Sequence, residues 1–146
     1  LPSSPDFVAH VLDLLDPVGP VSARSMFGGH GIYARGVMFA LVDDDELFLK
    51  VDEASRPRFE AAGCRQWTFP GPKGPVAGGY FRPPDEAHED PEAMRPWAEA
   101  ALAAAIRKAA RQGRKQARRL GAPGRAAPAR KGRRRPLPAP GGRRRG

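Results

Sequence analysis

Sixteen of the chain's twenty-five Lys and Arg residues fall after Ile106, and no Asp or Glu accompanies them there. A run of cations without counter-charge is suited to binding polyanions, because each cation that meets a phosphate releases a condensed counterion. Lys108, Arg111, Arg114, Lys115, Arg118 and Arg119 are spaced so that a helix would gather them into a basic stripe. Arg133-Arg134-Arg135 and Arg143-Arg144-Arg145 form two further clusters. No aromatic residue interleaves them, so the segment offers charge to phosphates and no ring for a base to stack on. Contact with nucleic acid through it would be nonspecific. The plainer reading is a solubilising extension.

Other chemistries find little material. His10, His30 and His88 are too scattered for a metal site. His88-Glu89-Asp90 lies on a turn, where three adjacent side chains rarely converge on one ion. The acidic run from Asp43 to Glu46 lacks the alternating ligands of a calcium loop. No metal and no cofactor is therefore expected. Cys64 is the sole cysteine, which excludes an internal disulfide framework and a thiolate cluster. It follows Gly63 at a helix end, which disfavours a thiolate, while the neighbouring Arg65 works the other way. No Ser, His and Asp combine into a nucleophile with its base, so catalysis is not expected. No apolar run approaches the roughly 18 residues of a membrane helix, so no membrane partner is expected. Leu1 to Asp6 shows neither the basic nor the apolar part of an export signal. The expected location is the cytoplasm, at the nucleoid where the basic tail holds the chain on nucleic acid.

The cations need an element to carry them, and charge divides the chain into two parts. Residues 1–106 hold nine Lys and Arg against sixteen Asp and Glu, a net of −7, whereas residues 107–146 carry +16. The expectation is an acidic domain over 1–106 and a basic tail over 107–146, with the last helix running on to about 120. From Gly121 the tail is Gly, Pro, Ala and Arg with little else, and Leu137 is its only larger aliphatic residue. Such a segment cannot bury enough apolar area to offset about 1–2 kcal/mol per residue of backbone entropy, so disorder is expected from about 121.

Within 1–106 the apolar spacing predicts a helix over Asp6–Leu15, with Ser4 as N-cap and Pro5 in the first turn. Four short strands follow at Ala23–Phe27, Gly31–Ala34, Val37–Val42 and Glu46–Val51, separated by Gly28-Gly29, Arg35-Gly36 and Asp43–Asp45. Connections this short allow only antiparallel pairing. A helix from about Ala54 to Ala62 is expected to be capped by Asp52 and closed by Gly63. Strands at Trp67–Phe69 and Val76–Arg82 flank a Pro-Gly-Pro-Lys-Gly-Pro run that reads as a rigid loop. A long helix follows from Pro91, capped by Asp90, with Pro96 as a kink or fresh start. This order predicts an α+β fold of two layers, an antiparallel sheet covered by helices.

The block Ser25-Met26-Phe27-Gly28-Gly29-His30-Gly31-Ile32-Tyr33 also carries a resemblance. With Gly36–Leu41, Leu47–Asp52, Phe59, Gly63, Tyr80–Pro83 and Asp90-Pro91 into Trp97, it resembles the N-terminal domain of the TfoX/Sxy family over about residues 5–106. The resemblance implies a secretion-chaperone-like two-layer fold. It also implies kinship with bacterial regulators of competence genes that act alongside the cyclic-AMP receptor protein and carry a helical C-terminal domain. In this sequence a basic tail follows the matching region. Within the motif, Met26, Phe27, Gly28, Gly29, Gly31 and Tyr33 read as structural, the glycines for hairpin geometry and the larger residues for packing. The leading expectation is a non-enzymatic, regulator-like protein whose tail associates nonspecifically with nucleic acid. The alternative is a protein-interaction module whose α+β domain binds a protein partner, the tail being incidental.

Overall fold

A computed structural model describes residues 3–26 and 28–120. Helix α1 (Pro5–Leu15) begins where the Ser4 hydroxyl accepts the Phe7 N–H at 3.2 Å, and it buries Val8, Val11, Leu14 and Leu15. Four strands follow: β1 (Ser22–Met26), β2 (Gly29–Ala34), β3 (Val37–Asp43) and β4 (Glu46–Lys50). After α2 (Arg56–Ala61) come β5 (Gln66–Gly71) and β6 (Gly74–Phe81), and then α3 (Pro91–Arg119). All strand pairs are antiparallel, in the order β1-β2-β3-β4-β6-β5. This is the two-layer α+β arrangement expected from the order of elements.

The turns explain why the sheet closes in this register. Arg35 and Gly36 both take positive φ, 52° and 78°, and Asp44 and Asp45 take 52° and 56°. Two residues of that kind make the hairpin turn whose twist matches that of the strands. The N-terminal segment fastens the second tip: the Ser4 N–H donates to Asp45 Oδ1 at 2.7 Å, and the Asp45 N–H donates to Ser3 Oγ at 3.2 Å. Asp45 thus does more than face solvent.

Alternation then sorts side chains to two sides. Ile32, Ala40, Val42, Leu47, Leu49 and Phe81 point toward the helices and join Val11, Leu15, Phe59, Met94, Ala98 and Leu102 in one buried cluster. Fully burying residues of this kind is worth about 1.5–3 kcal/mol each. Phe59 anchors α2, its ring 6.0 Å from Phe81 and 5.1 Å from Trp97.

Three local expectations require correction. The Pro-Gly-Pro-Lys-Gly-Pro run is not a loop but the end of a hairpin, with Pro72-Lys73 alone between the strands. Its prolines are accommodated because Pro70 pairs with Pro75 one step beyond the closing Gly71–Gly74 pair, and β5 is an edge strand with no outer neighbour to bond. Asp52 does not cap a helix beginning at Ala54. It accepts the Ser55 N–H at 3.1 Å in a preceding turn, and α2 starts at Arg56 with Pro57 in its first turn. Pro96 does not mark a fresh start, one of the two outcomes expected there: α3 runs through it, and Asp90 caps that helix, accepting the Ala93 N–H at 2.8 Å.

The first of two units in the chain ends at Lys108. The disorder expected from about 121 lies outside the described residues.

Candidate nucleic-acid interface

Arg111, Arg114, Lys115, Arg118 and Arg119 are all helical and all exposed. At 100° per residue these five cations occupy an arc of about 140° on their stretch of helix, while Ala109, Ala110, Gly113 and Ala117 take the other side. The spacing seen in the sequence therefore becomes a continuous basic face. Lys108, at the end of the first unit, is also helical and exposed. Arg118 and Arg119 fall in the last turn, where cations complement the helix dipole. Arg133, Arg134, Arg135, Arg143, Arg144 and Arg145 lie outside the described residues.

The glycine-rich motif is divided between different tasks. Gly28 holds φ +80°, a backbone conformation glycine adopts without strain. Gly29 is constrained differently: a Cβ there would collide with the Val42 carbonyl of the neighbouring strand. Gly31 lies beneath sulfur, its missing Cβ lying 2.9 Å from Met26 Sδ and 2.8 Å from Met38 Sδ. Tyr33 is half-buried with the Arg24 guanidinium 4.7 Å from its ring centroid. Phe27 lies outside the described residues.

The remaining chemical candidates are kept apart. His88 sets Nδ1 3.0 Å from the Pro84 carbonyl, and the His10 ring is tilted against Phe7 at 6.4 Å. Among the described residues no three His, Cys, Asp or Glu gather as a metal site. Cys64 borders a polar cavity of 490 Å³ with Arg65, Arg82 and Asp85. Burial pushes its thiol up, and the charge that opposes this comes from Arg82, not from the adjacent Arg65. Arg65 is instead paired with Glu46. Among the described residues no helix is long and apolar enough to cross a membrane.

One ion pair was not visible in the sequence. Arg107 donates from Nε to Asp52 Oδ2 at 2.7 Å and from Nη2 to Oδ1 at 3.0 Å, a two-pronged contact across 55 residues. The guanidinium holds the Asp52 carboxyl well below the usual carboxylate range. Arg107 is thus committed to the fold, whereas charge alone had grouped it with the tail. No local pattern reveals such a pairing, because only the folded chain brings α3 beside the turn after β4.

The fold and its motif can now be set against known proteins. Residues 13–105 match the TfoX N-terminal domain. The chain belongs to that family. A 50-residue stretch is 38% identical to the DNA transformation protein TfoX1 of Aliivibrio fischeri (strain ATCC 700601 / ES114), spanning 34% of this chain and 24% of that protein. The TfoX N-terminal match ends at residue 105, before the basic face of α3 begins.

Proposed function

We propose that the chain is a non-enzymatic, regulator-like member of the TfoX family, in which an acidic α+β domain over 1–106 is joined to a basic segment over 107–146 that associates with nucleic acid. The exposed arc of five cations between Arg111 and Arg119 is the observation that carries this reading. With no acid anywhere in 107–146, nothing in that segment competes with phosphates for those side chains. Rings are absent from it as well, so binding follows the backbone and ignores sequence. The acidic domain is repelled by a duplex, which concentrates contact on the basic segment. A relative named for DNA transformation is in keeping with a role near DNA, and the cytoplasm, at the nucleoid, is the matching location.

Titration of the full chain with duplex DNA at several salt concentrations tests the reading. With six to ten cations engaged, the log–log slope should lie at roughly −5 to −9, with micromolar affinity at best near physiological salt. Truncation after Ile106 should abolish binding, and replacing Arg133, Arg134 and Arg135 by Ala should flatten the slope by about 2–3. A truncated chain that binds as well as the full one would refute the proposal.

A further inference from the structure

The sheet ends in two edges that meet solvent differently. Strand β5 forms one edge, with Pro70 in its length and a register shift between Gln66 and Thr68. Prolines and bulges are devices that keep an edge from accepting another strand. Strand β1 forms the other edge and has neither: Ser22–Met26 pairs with β2 through five consecutive residues without a shift. Ser22, Arg24 and Ser25 are exposed there. The outward N–H and C=O groups of β1 thus have no strand beside them and form a ready template for one.

A groove lies beside this edge. Val8, Ala9 and Leu12 of α1, Ala23 and Ser25 of β1 and His30 of β2 line a volume of about 390 Å³. Ala23 and Ser25 pair with Ile32 and His30, so these four side chains stand on the helix side of the sheet. Most of the lining is aliphatic. His30, however, keeps its Nδ1 buried with no hydrogen-bond partner among the described residues. Leaving a buried polar atom so costs about 1–3 kcal/mol. Arg24 stands on the opposite side of the sheet, its guanidinium 4.7 Å from the Tyr33 ring centroid and in no ion pair among the described residues.

These features select the occupant. A second copy would pair its own β1 antiparallel with this one, and a two-fold through residue 23, 24 or 25 sets the two Arg24 side chains directly opposite or diagonal. Like charges so placed repel, whereas a carboxylate in the same position attracts. On the helix side the groove suits an apolar group that also makes one hydrogen bond, which is the chemistry of threonine. Its methyl meets Val8 and Leu12, and its hydroxyl, donor and acceptor alike, satisfies His30 Nδ1 in either tautomer.

We propose that β1 receives an extended protein segment as a seventh strand, with threonines on alternate residues entering the groove beneath α1 and an acidic side chain between them meeting Arg24. Main-chain hydrogen bonds to the open edge supply affinity, while the groove and Arg24 choose the side chains. Alternation puts the two kinds of residue on opposite faces of one straight segment. The site belongs to the α+β domain alone and is separate from the basic segment's contact with nucleic acid.

The test titrates the full chain with a fluorescein-labelled peptide of about ten residues, threonine at alternate positions, one central glutamate and serine elsewhere, read by anisotropy. Two further peptides of the same charge carry N-methyl groups on every second amide, in opposite phases. The phase that removes the donors facing β1 should weaken binding about 20-fold or more, and the other phase by less than about threefold. Attraction to the basic segment is the same for both phases. Ala9→Trp, at an exposed helical site, fills the groove and should weaken binding about tenfold or more, with duplex DNA affinity unchanged. Arg24→Gln should cost about 2- to 5-fold, and nothing against a peptide with glutamine for glutamate. Valine in place of the threonines should weaken binding to the parent about fivefold and strengthen binding to His30→Phe. Equal losses from the two N-methyl phases, or full binding by Ala9→Trp, would overturn the proposal. So would a dimer in sedimentation that Ala9→Trp dissolves while the peptide stays unbound, which gives the edge to a second copy.

Discussion

Helix α3 has two stretches with the same backbone conformation and opposite chemistry. Between Met94 and Ala105 it buries Met94, Ala98, Ala101, Leu102, Ala104 and Ala105, whereas every residue from Ile106 to Leu120 is exposed. In the first stretch, four of those six residues are alanines, which lose almost no rotamer entropy on burial. The second carries cations at the same three- and four-residue intervals, held on one face. Helical periodicity therefore does not distinguish a stripe that packs from one that displays charge. The residue types do, and they lead to different predictions for substitutions a few turns apart.

The largest effect should come from the packed stretch. Met94→Ala empties a fully buried site and should cost about 2–5 kcal/mol in urea unfolding, with the duplex salt slope unchanged. Ala98→Leu forces extra volume into a site with no exposure and should cost about 1–3 kcal/mol. Arg107→Ala comes next, at about 1 kcal/mol, because it removes a two-pronged but partly exposed pair with Asp52. Its pH dependence follows from the sign of the shift. The carboxyl is depressed in the folded chain, so the stabilisation is complete above its unfolded pKa, about 4, and disappears as pH falls through the lower folded value. The difference between the parent and Arg107→Ala should therefore be constant near neutrality and close in acid. The smallest effect belongs to the basic stretch. Gly113 is helical with open space where a Cβ would stand, so Gly113→Ala should favour the helix by about 0.5–1 kcal/mol, seen as more helical ellipticity.

How much of this was legible depended on whether the determinant was local. Helix α1, the Arg35-Gly36 turn, the Asp43–Asp45 tip and the Asp90 cap are written within a few consecutive residues and are legible there; Asp43 alone belongs to the strand instead of the turn. The β5–β6 hairpin was misread because prolines normally interrupt strands; what admits them is an unpaired outer edge, a property of strand order. The Arg107–Asp52 pair joins residues 55 apart and has no local signature. Among candidate binding residues, the helical spacing from Lys108 to Arg119 was apparent. The groove between α1 and β1 was not, since Val8, Ala23 and His30 belong to three elements whose adjacency exists only after folding.

The comparison along α3 is tested most directly by one variant measured in two ways. Arg111, Arg114, Lys115, Arg118 and Arg119 are replaced together by Gln in the full chain, which keeps helix propensity and removes the charge. The duplex salt slope should fall in magnitude by about 3–5, while the urea midpoint of the domain stays within experimental error. An unchanged slope, or a midpoint that drops as it does for Met94→Ala, would contradict the assignment of this face to binding.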